Sequence, residues 1–244
     1  MKKRATEDAG APGPSPGPVL GEGPRVGMSW GQALDRVLAA LLLVLAAPLM
    51  AVVALVVKLD SPGAPVVYKQ ERVGLNRRQR GGHDGKTAPT AERRRSRGAG
   101  KPFRIWKFRT MIPDAEATTG PVWATHDDPR ITRVGRFLRL TRLDELPQLV
   151  NVIRGEMRLV GPRPERPHFV EELTHRVPDY EERLSVHPGI TGLAQVEREY
   201  DADLDDVRKK LRYDLFYIKN RRPSMDLRIL LKTLSVVFHR RGAR

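Results

Sequence analysis

The longest apolar run in the sequence extends from Val37 to Val57, twenty-one residues without a charged side chain. As a helix this run is about 30 Å long, which matches the hydrocarbon thickness of a bilayer. A signal peptide is a poor alternative, because the run starts deep in the chain and no cleavage site follows it. A buried core helix is the other alternative, although few soluble helices are apolar on every face. The pattern therefore predicts a membrane helix.

Pro48 stands almost at the midpoint of this apolar run. A proline inside a helix removes one backbone hydrogen bond and bends the chain, and a straight membrane span tolerates such a bend. Basic residues flank both ends of the run, beginning with Arg36 and Lys58, and basic residues mark the cytoplasmic side of a membrane. A broken, re-entrant helix over residues 30–59, which enters and leaves the same face, satisfies both observations slightly better than a straight span.

The remaining apolar positions predict short strands separated from amphipathic helices by loops. Strands are expected around Val66–Tyr68 and through 103–108. Apolar residues at three- and four-residue spacing predict helices at about 143–154, 165–176, 178–185, 203–219 and 225–239. We expect an α+β, membrane-associated fold with one broken membrane helix, amphipathic helices at the membrane interface and a small sheet.

Two polar segments stand apart from this pattern. Residues 1–29 contain five Pro and six Gly without an apolar period, and residues 77–99 carry eight basic and two acidic side chains. Neither has enough apolar surface to offset the entropy of ordering, so we expect a disordered tail and a disordered basic loop. The loop is a solvated spacer in one interpretation and a tether for anionic lipid headgroups in the other.

The charge balance narrows the choice of partners. The chain has 44 Lys and Arg against 29 Asp and Glu, a net charge of +15, which indicates nucleic acid, acidic lipid or a phosphorylated substrate. The sequence contains no cysteine, which excludes disulfides, a thiolate nucleophile, zinc-thiolate sites and iron–sulfur clusters. The six histidines include no pair at three- or four-residue spacing, which argues against a histidine metal site.

The segment from Arg139 to Ile153, RLTRLDELPQLVNVI, carries the most informative acidic pair. Pro147 fits only the first turn of a helix, so Asp144 and Glu145 are expected at the amino end. Backbone N–H groups and the helix dipole favour negative charge there. On this segment alone, an acidic helix start that only stabilises the helix is the simpler explanation, although Arg139 and Arg142 close by are consistent with a phosphate site.

A second candidate is Arg163 in the segment LVGPRPERP. Pro162 and Pro164 flank it, which restricts the backbone and pre-organises the guanidinium for phosphate or carboxylate. A proline-rich turn with an exposed arginine is the alternative. The two glycines of HPGITGLAQV, residues 187–196, also permit a tight loop that brings backbone N–H groups near a ligand, but alone they are a weak signal.

Taken together, these segments closely resemble the bacterial sugar transferases, the monotopic polyprenyl-phosphate phosphoglycosyl transferases. The resemblance lies in five segments in family order: DSPGAPVVYKQERVG, KPFRIWKFRTM, LRLTRLDELPQLVNVIRGEMRLVGPRPERP, HPGITGLAQV and YDLFYIKN. It covers nearly everything from residue 31 to residue 243, and it leaves out the tail 1–29 and the loop 77–99.

The resemblance implies transfer of a phosphosugar from a nucleotide diphosphate-sugar, expected to be a UDP-sugar, to polyprenyl phosphate. Nucleoside monophosphate is released, and the product initiates exopolysaccharide or other surface glycan synthesis. It assigns Asp144 as the nucleophile that forms a covalent phosphosugar intermediate, with Glu145 beside it. It also implies Mg²⁺ on the Asp144 carboxylate and on the diphosphate, and phosphate contacts from Lys107, Arg139 and Arg163.

The resemblance further implies a catalytic domain over residues 60–244 on the cytoplasmic face of the cell membrane, in the minimal form of the family. It is compatible with a homodimer.

Two positions depart from the family pattern. Ala47 replaces the serine that often precedes the membrane-helix proline, and Glu197 starts a segment where the family often has a Gly-Arg motif. The competing hypothesis is a non-catalytic, membrane-anchored basic module that binds anionic lipid or nucleic acid. No nucleic-acid-binding signature supports it.

Overall fold

The computed structural model describes residues 30–76, 100–117, 120, 128–197 and 204–238. The predicted tail 1–29 and the predicted loop 77–99 lie outside the described residues. The α-helices are α1 Trp30–Asp60, α2 Arg133–Thr141, α3 Leu149–Ile153, α4 Pro167–Arg176, α5 Leu193–Glu197, α6 Leu204–Asn220 and α7 Pro223–Phe238. Two 3-10 helices span Leu143–Gln148 and Tyr180–Ser185, and the strands are β1 Val67–Val73, β2 Pro102–Phe108, β3 Arg158–Val160 and β4 Gly189–Thr191.

Helix α1 is the one described helix that is long and apolar enough to cross a membrane. It is assigned as a single helix with Pro48 inside it, and most of its apolar side chains are exposed, including Leu45 at 77%. This confirms the long apolar helix and makes the fold compatible with membrane association. The re-entrant path through Pro48 stays a prediction, because Trp30–Asp60 is a single helix without a break at Pro48.

Both halves of α1 contact the same domain. In the amino-terminal half, the fully buried Ala39 belongs to the largest core cluster, and Asp35 accepts a hydrogen bond from Arg158 Nε at 2.5 Å. In the carboxy-terminal half, Val53 and Val57 pack in a separate cluster that contains Phe108 and Leu138. Exposed leucines occur along the whole length of α1, from Leu34 to Leu59, on the surface that these two attachments leave uncovered.

The predicted small sheet is present as two separate pairs of strands. Strands β1 and β2 are antiparallel, with Val67 opposite Phe108 and Val73 opposite Pro102. The pairing continues past the strands, because Lys101 N donates to Leu75 O at 3.1 Å, and residues 77–99 connect this end of the hairpin. Strands β3 and β4 form a short parallel pair, which the apolar pattern does not predict.

The predicted helices are confirmed, with two differences in type: the helix expected over 178–185 is the 3-10 helix Tyr180–Ser185, and the first predicted helix is divided. The segment expected as one helix over 143–154 is a 3-10 helix, Leu143–Gln148, followed by α3. Pro147 has no N–H to donate to an α-helical hydrogen bond, which favours the tighter turn at this point. Helices α2 and α5 are additions that the sequence pattern does not predict.

The largest core cluster joins α1 to the hairpin, to α3 and β3, and to the two last helices. Its buried members are Ala39, Phe103, Ile105, Leu149, Val152, Met157, Leu159, Val160, Tyr217 and Ile229. Helix α7 contributes Ile229 to this core and leaves Leu227, Leu231 and Leu234 exposed on its outer face. Since these three leucines recur at i, i+4 and i+7, α7 is amphipathic with a second apolar stripe directed away from the core.

Candidate active site

The acidic pair lies where α2 ends and the chain turns into the 3-10 helix. Arg142 makes this turn in the left-handed region, at φ 59°, and its N–H donates to Arg139 O at 3.2 Å. A left-handed conformation is costly for a residue with a side chain and is retained where the surrounding structure demands it. The turn places Asp144 and Glu145 in the first turn of the 3-10 helix, as the sequence predicts, with only 6% and 7% of their surfaces exposed.

Glu145 is surrounded by cations from three different parts of the chain. Arg163 Nη2 donates to Glu145 Oε1 at 2.6 Å, and Arg163 Nη1 lies 3.4 Å from Oε2. Lys107 Nζ donates to Oε1 at 3.3 Å, and Arg142 Nη1 lies 4.0 Å from the same oxygen. Both oxygens of Glu145 are therefore engaged, and Lys107 and Arg163, two of the predicted phosphate ligands, are held side by side.

Asp144 has a different environment, although it is the adjacent residue. Within the described part of the chain its carboxylate has no hydrogen bond or salt bridge. Burial raises the pKa of Asp144, and the Glu145 charge raises it further, while Lys107, Arg139 and Arg163 oppose the shift. The site thus holds one buried carboxylate without a protein partner, beside a cluster of positive charges.

The two carboxyl groups of the pair are shifted in opposite directions. Burial disfavours the charge on Glu145, but Arg163 and Lys107 outweigh it and hold the pKa of Glu145 well below its usual value. The pKa of Lys107 is lowered, first by burial and then by the Arg163 charge, although Glu145 acts in the other direction. Neighbouring carboxyl groups with opposite shifts are typical of sites that assign them different chemical roles.

The third predicted phosphate ligand, Arg139, lies one helical turn before the pair. Its Nε donates to Thr110 Oγ1 at 3.0 Å, which directs the side chain from the last turn of α2 toward the end of β2. Its charge lowers the pKa of Asp144, so Arg139 contributes to the same electrostatic field. The structure therefore brings together all five residues that the sequence singles out for chemistry: Lys107, Arg139, Asp144, Glu145 and Arg163.

The Pro-Arg-Pro turn is held by two arginines that the sequence does not single out. Arg183 Nη2 donates to the Arg163 carbonyl at 2.9 Å, and Arg72 Nη1 donates to the Pro164 carbonyl at 3.2 Å. Arg183 is buried, with Asp214 at 2.9 Å and the Tyr180 hydroxyl at 2.6 Å. The conformation of Arg163 thus depends on tertiary hydrogen bonds as well as on its neighbouring prolines.

The glycines of residues 187–196 have a packing role in this structure. Gly189 N–H donates to the Pro162 carbonyl at 2.9 Å, so it supports the Arg163 turn and not a ligand. A Cβ atom on Gly189 would collide with the backbone nitrogen of Gly161, and one on Gly192 would collide with the Gly161 carbonyl oxygen. Gly189 therefore does not present its N–H group to a ligand, contrary to the expectation from the sequence. A glycine is required at this position because two backbone segments approach each other closely.

Among the described residues, no group of three or more Asp, Glu or His side chains could hold a metal ion. Magnesium is commonly bound by one or two carboxylates together with substrate phosphates, so a full protein cage is not required. Asp144, as a carboxylate without a protein partner, fits such a shared site. Glu145 does not, because both its oxygens are engaged by cations.

A family model described as bacterial sugar transferase matches residues 25–81 and 84–240. The match extends further than the motifs quoted above. It begins within the tail, at residue 25, and it includes most of the basic loop, which those motifs leave out.

The chain is also similar to several proteins named as transferases. It is 40% identical over 213 residues to a UDP-N-acetylgalactosamine-undecaprenyl-phosphate N-acetylgalactosaminephosphotransferase from Aeromonas hydrophila, covering 87% of this chain and 44% of that protein. It is 38% identical over 216 residues to a UDP-glucose:undecaprenyl-phosphate glucose-1-phosphate transferase from Escherichia coli K12, covering 87% and 41%. A Caulobacter vibrioides protein of the same description is 40% identical over 207 residues, covering 83% and 67%.

The chain spans less than half the length of the first two of these relatives. The shared region contains the buried acidic pair and the three cations that the fold assembles around it. With a family model that matches from residue 25 to residue 240, and with relatives of this identity, the chain belongs to the bacterial sugar transferase family.

Proposed function

We propose that this protein transfers a phosphosugar from a UDP-sugar to a polyprenyl phosphate, giving polyprenyl-diphosphate-sugar and nucleoside monophosphate, as the first step of a surface glycan. The names of the relatives described above state this type of reaction, with undecaprenyl phosphate as the acceptor. The observation that carries the proposal is the pair of buried carboxyl groups with opposite environments. Asp144 has no protein partner in the described part of the chain, and Glu145 is held by Lys107 and Arg163.

Asp144 is the proposed nucleophile. An oxygen of its carboxylate attacks the phosphorus next to the sugar, so a carboxylate oxygen–phosphorus bond forms. The bond from that phosphorus to the bridging oxygen breaks, and nucleoside monophosphate leaves with the electron pair. An oxygen of the polyprenyl phosphate then attacks the same phosphorus, which releases the product and restores the Asp144 carboxylate.

Lys107, Arg139 and Arg163 are the proposed phosphate ligands. Pre-positioned cations stabilise the charge that develops on the transferred phosphoryl group. Glu145 is the residue that keeps two of them in place, because its carboxylate joins Lys107 and Arg163. Its lowered pKa makes it a weak proton acceptor, which favours this positioning role over general base catalysis.

Mg²⁺ is the proposed cofactor, and Asp144 is the residue that would hold it together with the bound donor. The unpartnered Asp144 carboxylate fits this role, as argued above. When bound, the ion neutralises charge on the donor diphosphate.

The proposed arrangement in the membrane is a re-entrant α1 with the catalytic domain on the cytoplasmic face. Both halves of α1 contact the same domain, through Ala39 at one end and Val57 at the other. A helix that crossed the bilayer once would carry one of these contacts to the opposite side. The exposed leucines of α7 are proposed to lie at the interface of the same leaflet.

The alternative of a non-catalytic basic module is not supported by these findings. The relatives are named as transferases, and the structure gathers the acidic pair with three cations in a way that binding a membrane surface does not require.

The direct test is release of nucleoside monophosphate from a panel of UDP-sugars by purified protein in detergent, with Mg²⁺ and undecaprenyl phosphate. Wild-type protein is expected to turn over at least one sugar. It should also release up to one equivalent without lipid while gaining the mass of the phosphosugar. Asp144→Asn should lose both activities, and Asp205→Asn, the same change at an exposed carboxylate of α6, should keep them. Turnover by Asp144→Asn at a near wild-type rate would falsify the covalent assignment.

A further inference from the structure

A small crevice is lined by Glu145 and Arg142 and by none of the three proposed phosphate ligands, Lys107, Arg139 and Arg163. It has a volume of about 120 Å³ and lies between the 3-10 helix that carries the acidic pair, strand β4 and helices α5 and α7. Arg142 and Glu145 form its polar end. The aliphatic side chains that line the remainder are Leu146, Leu149, Ile190, Val196 and Val236.

The polar side chains in the crevice are mostly engaged with the protein. The hydroxyls of Thr191 and Thr233 are 2.8 Å apart, and Thr233 donates to Ile229 O at 2.8 Å. Gln195 Nε2 donates to Ile190 O at 3.0 Å. The buried Oε1 of Gln195 is a hydrogen-bond acceptor, so it does not bind the oxygens of a phosphate, which are also acceptors. A sugar or a nucleotide placed here would find one open acceptor, Gln195 Oε1, and its remaining hydroxyls or ring nitrogens would lack partners, which costs free energy in a buried site.

The size of the crevice also selects its occupant. An apolar cavity of about 150 Å³ is known to hold a benzene molecule, so this crevice fits a hydrocarbon group of about five carbons. Such a group is much smaller than a sugar nucleotide. The geometry is therefore that of a short apolar slot that begins at the chemical centre.

The outer side of the crevice is closed by a helix with a second apolar face. Thr233 and Val236 of α7 face the crevice, and Leu227, Leu231 and Leu234 of the same helix are exposed on its outer side. A lipid acceptor whose phosphate lies near Arg142 would place its first carbons in the slot.

We propose that this crevice binds the first isoprenoid unit of the lipid acceptor and thereby selects a polyprenyl phosphate. The inference rests on the proposed function, because it concerns the second substrate of that reaction. It assigns Val196 and Val236 to acceptor recognition, whereas the proposed ligands of the donor diphosphate, Lys107, Arg139 and Arg163, are not among the residues that line the crevice.

The test fills the crevice with a larger side chain and measures the two half-reactions separately. Val196→Phe and Val236→Phe are expected to keep the rate of phosphosugar adduct formation from UDP-sugar within about twofold of wild type. Their kcat/KM for undecaprenyl phosphate should fall by at least about tenfold, because an apolar pocket that loses its space loses about that much discrimination. Ile112→Phe, an enlargement at an exposed aliphatic residue outside the crevice lining and outside α7, is the matched control and should retain both rates.

A second arm uses short acceptors with the wild-type protein. A five-carbon prenyl phosphate should be used with a kcat/KM at least about tenfold above that of ethyl phosphate, and both phenylalanine variants should remove this preference. Thermal unfolding of each variant shows whether the fold is retained.

Three outcomes would overturn the inference. The first is an unchanged kcat/KM for undecaprenyl phosphate in both phenylalanine variants when both are folded. The second is an equal loss of adduct formation and of transfer to the lipid in these variants. The third is equal use of the five-carbon prenyl phosphate and ethyl phosphate by the wild-type protein. If wild-type protein forms no adduct and releases no nucleoside monophosphate from any UDP-sugar, the proposed function fails instead. Equilibrium binding of undecaprenyl phosphate to wild type and to Val236→Phe then still decides whether the crevice binds the lipid.

Discussion

Arg163 Nη2 and Glu145 Oε1 are 2.6 Å apart, which joins the Pro-Arg-Pro turn to the acidic pair. Eighteen residues separate them in the sequence. The contact gives Glu145 its charge partner, and the Glu145 charge raises the pKa of Arg163 even though burial opposes it. Glu145 is thereby engaged by cations, whereas Asp144 has no hydrogen bond or salt bridge among the described residues, which supports its proposed role as the nucleophile.

Arg163→Ala tests whether this contact belongs to the catalytic machinery. We expect kcat/KM for UDP-sugar to fall by about 10²-fold, because one preorganised donor to the transferred phosphoryl group is lost. The fold should persist, since the turn is held at backbone carbonyls by Arg183 and Arg72. Arg176→Ala, at an exposed arginine of α4 that pairs with Glu172, is the control. A near wild-type kcat/KM for Arg163→Ala would remove this residue from the site.

The raised pKa of Asp144 predicts the acid limb of the pH profile. The proposed attack requires an ionised Asp144, so kcat/KM for adduct formation should fall as pH decreases through its raised pKa. The midpoint should lie above 3.8, the ordinary value for this group. Glu145 should not contribute to that limb, because its pKa is held well below 4.5. The profile is measured on the lipid-free half-reaction, since kcat/KM reports the groups of the free enzyme. An acid limb at or below the ordinary value would contradict the assignment.

The same shift has a consequence for stability. A folded-state pKa above the unfolded value means that ionised Asp144 opposes folding at every pH above the unfolded pKa. Asp144→Asn removes this charge, so its midpoint of thermal unfolding at neutral pH should equal or exceed that of wild type. Glu145→Gln should do the reverse, because its lowered pKa contributes stability that is present above the unfolded pKa and lost as pH falls through the folded pKa. Equal shifts of the same sign in both variants would contradict the opposite environments of the pair.

Arg183 is expected to act on the reaction through Arg163. Arg183→Lys keeps a positive charge near Asp214 but cannot contact Asp214, the Tyr180 hydroxyl and the Arg163 carbonyl together, so kcat/KM should fall by about tenfold. In the Arg163→Ala background the same change should cost little, because the group it positions is already gone. Additive losses in the double variant would show that Arg183 contributes to the fold alone.

The topology of α1 is tested by labelling its two ends. The chain has no native cysteine, so single cysteines at Trp30 and Asp60, which are both exposed, report the side of the membrane on which each end lies. Both are expected to react from the cytoplasmic side only. Pro48→Leu restores a backbone hydrogen bond at the middle of the helix and should shift the label at one end toward the opposite side. Opposite-side labelling in the wild-type background would establish a simple span.

Deletion of residues 77–99 tests the basic loop. Leu75 and Lys101 are joined by a backbone hydrogen bond of 3.1 Å, so a short glycine linker can reconnect the hairpin without moving its strands. Turnover in detergent should stay near wild type. Retention on vesicles with anionic lipid should fall, because each basic residue near such a surface contributes about 1 kcal/mol. Loss of detergent activity with the fold retained would place the loop in the active site.

The sequence alone determines the elements that depend on local patterns. The uncharged run from Val37 to Val57 is visible as a membrane-length helix because a bilayer requires about twenty consecutive apolar residues. The helices after residue 143 follow from three- and four-residue spacing, and Pro147 locates Asp144 and Glu145 at a helix start. The identity of the five candidate residues also comes from the sequence, through its resemblance to the sugar transferases.

Only the tertiary structure separates the roles of neighbouring residues. Asp144 and Glu145 are adjacent acids in the sequence, and their opposite pKa shifts arise from Lys107 and Arg163, which come from distant strands and turns. The buried contact of Arg183 with the Arg163 carbonyl has no sequence pattern, because an isolated arginine is normally a solvated residue. The parallel pairing of β3 with β4 likewise depends on two backbone segments that meet at Gly161 and Gly189, and three-residue strands are too short to show a period. The pKa shifts and the close backbone contacts both depend on residues that are far apart in the chain. They are therefore determined only when the fold brings those residues together.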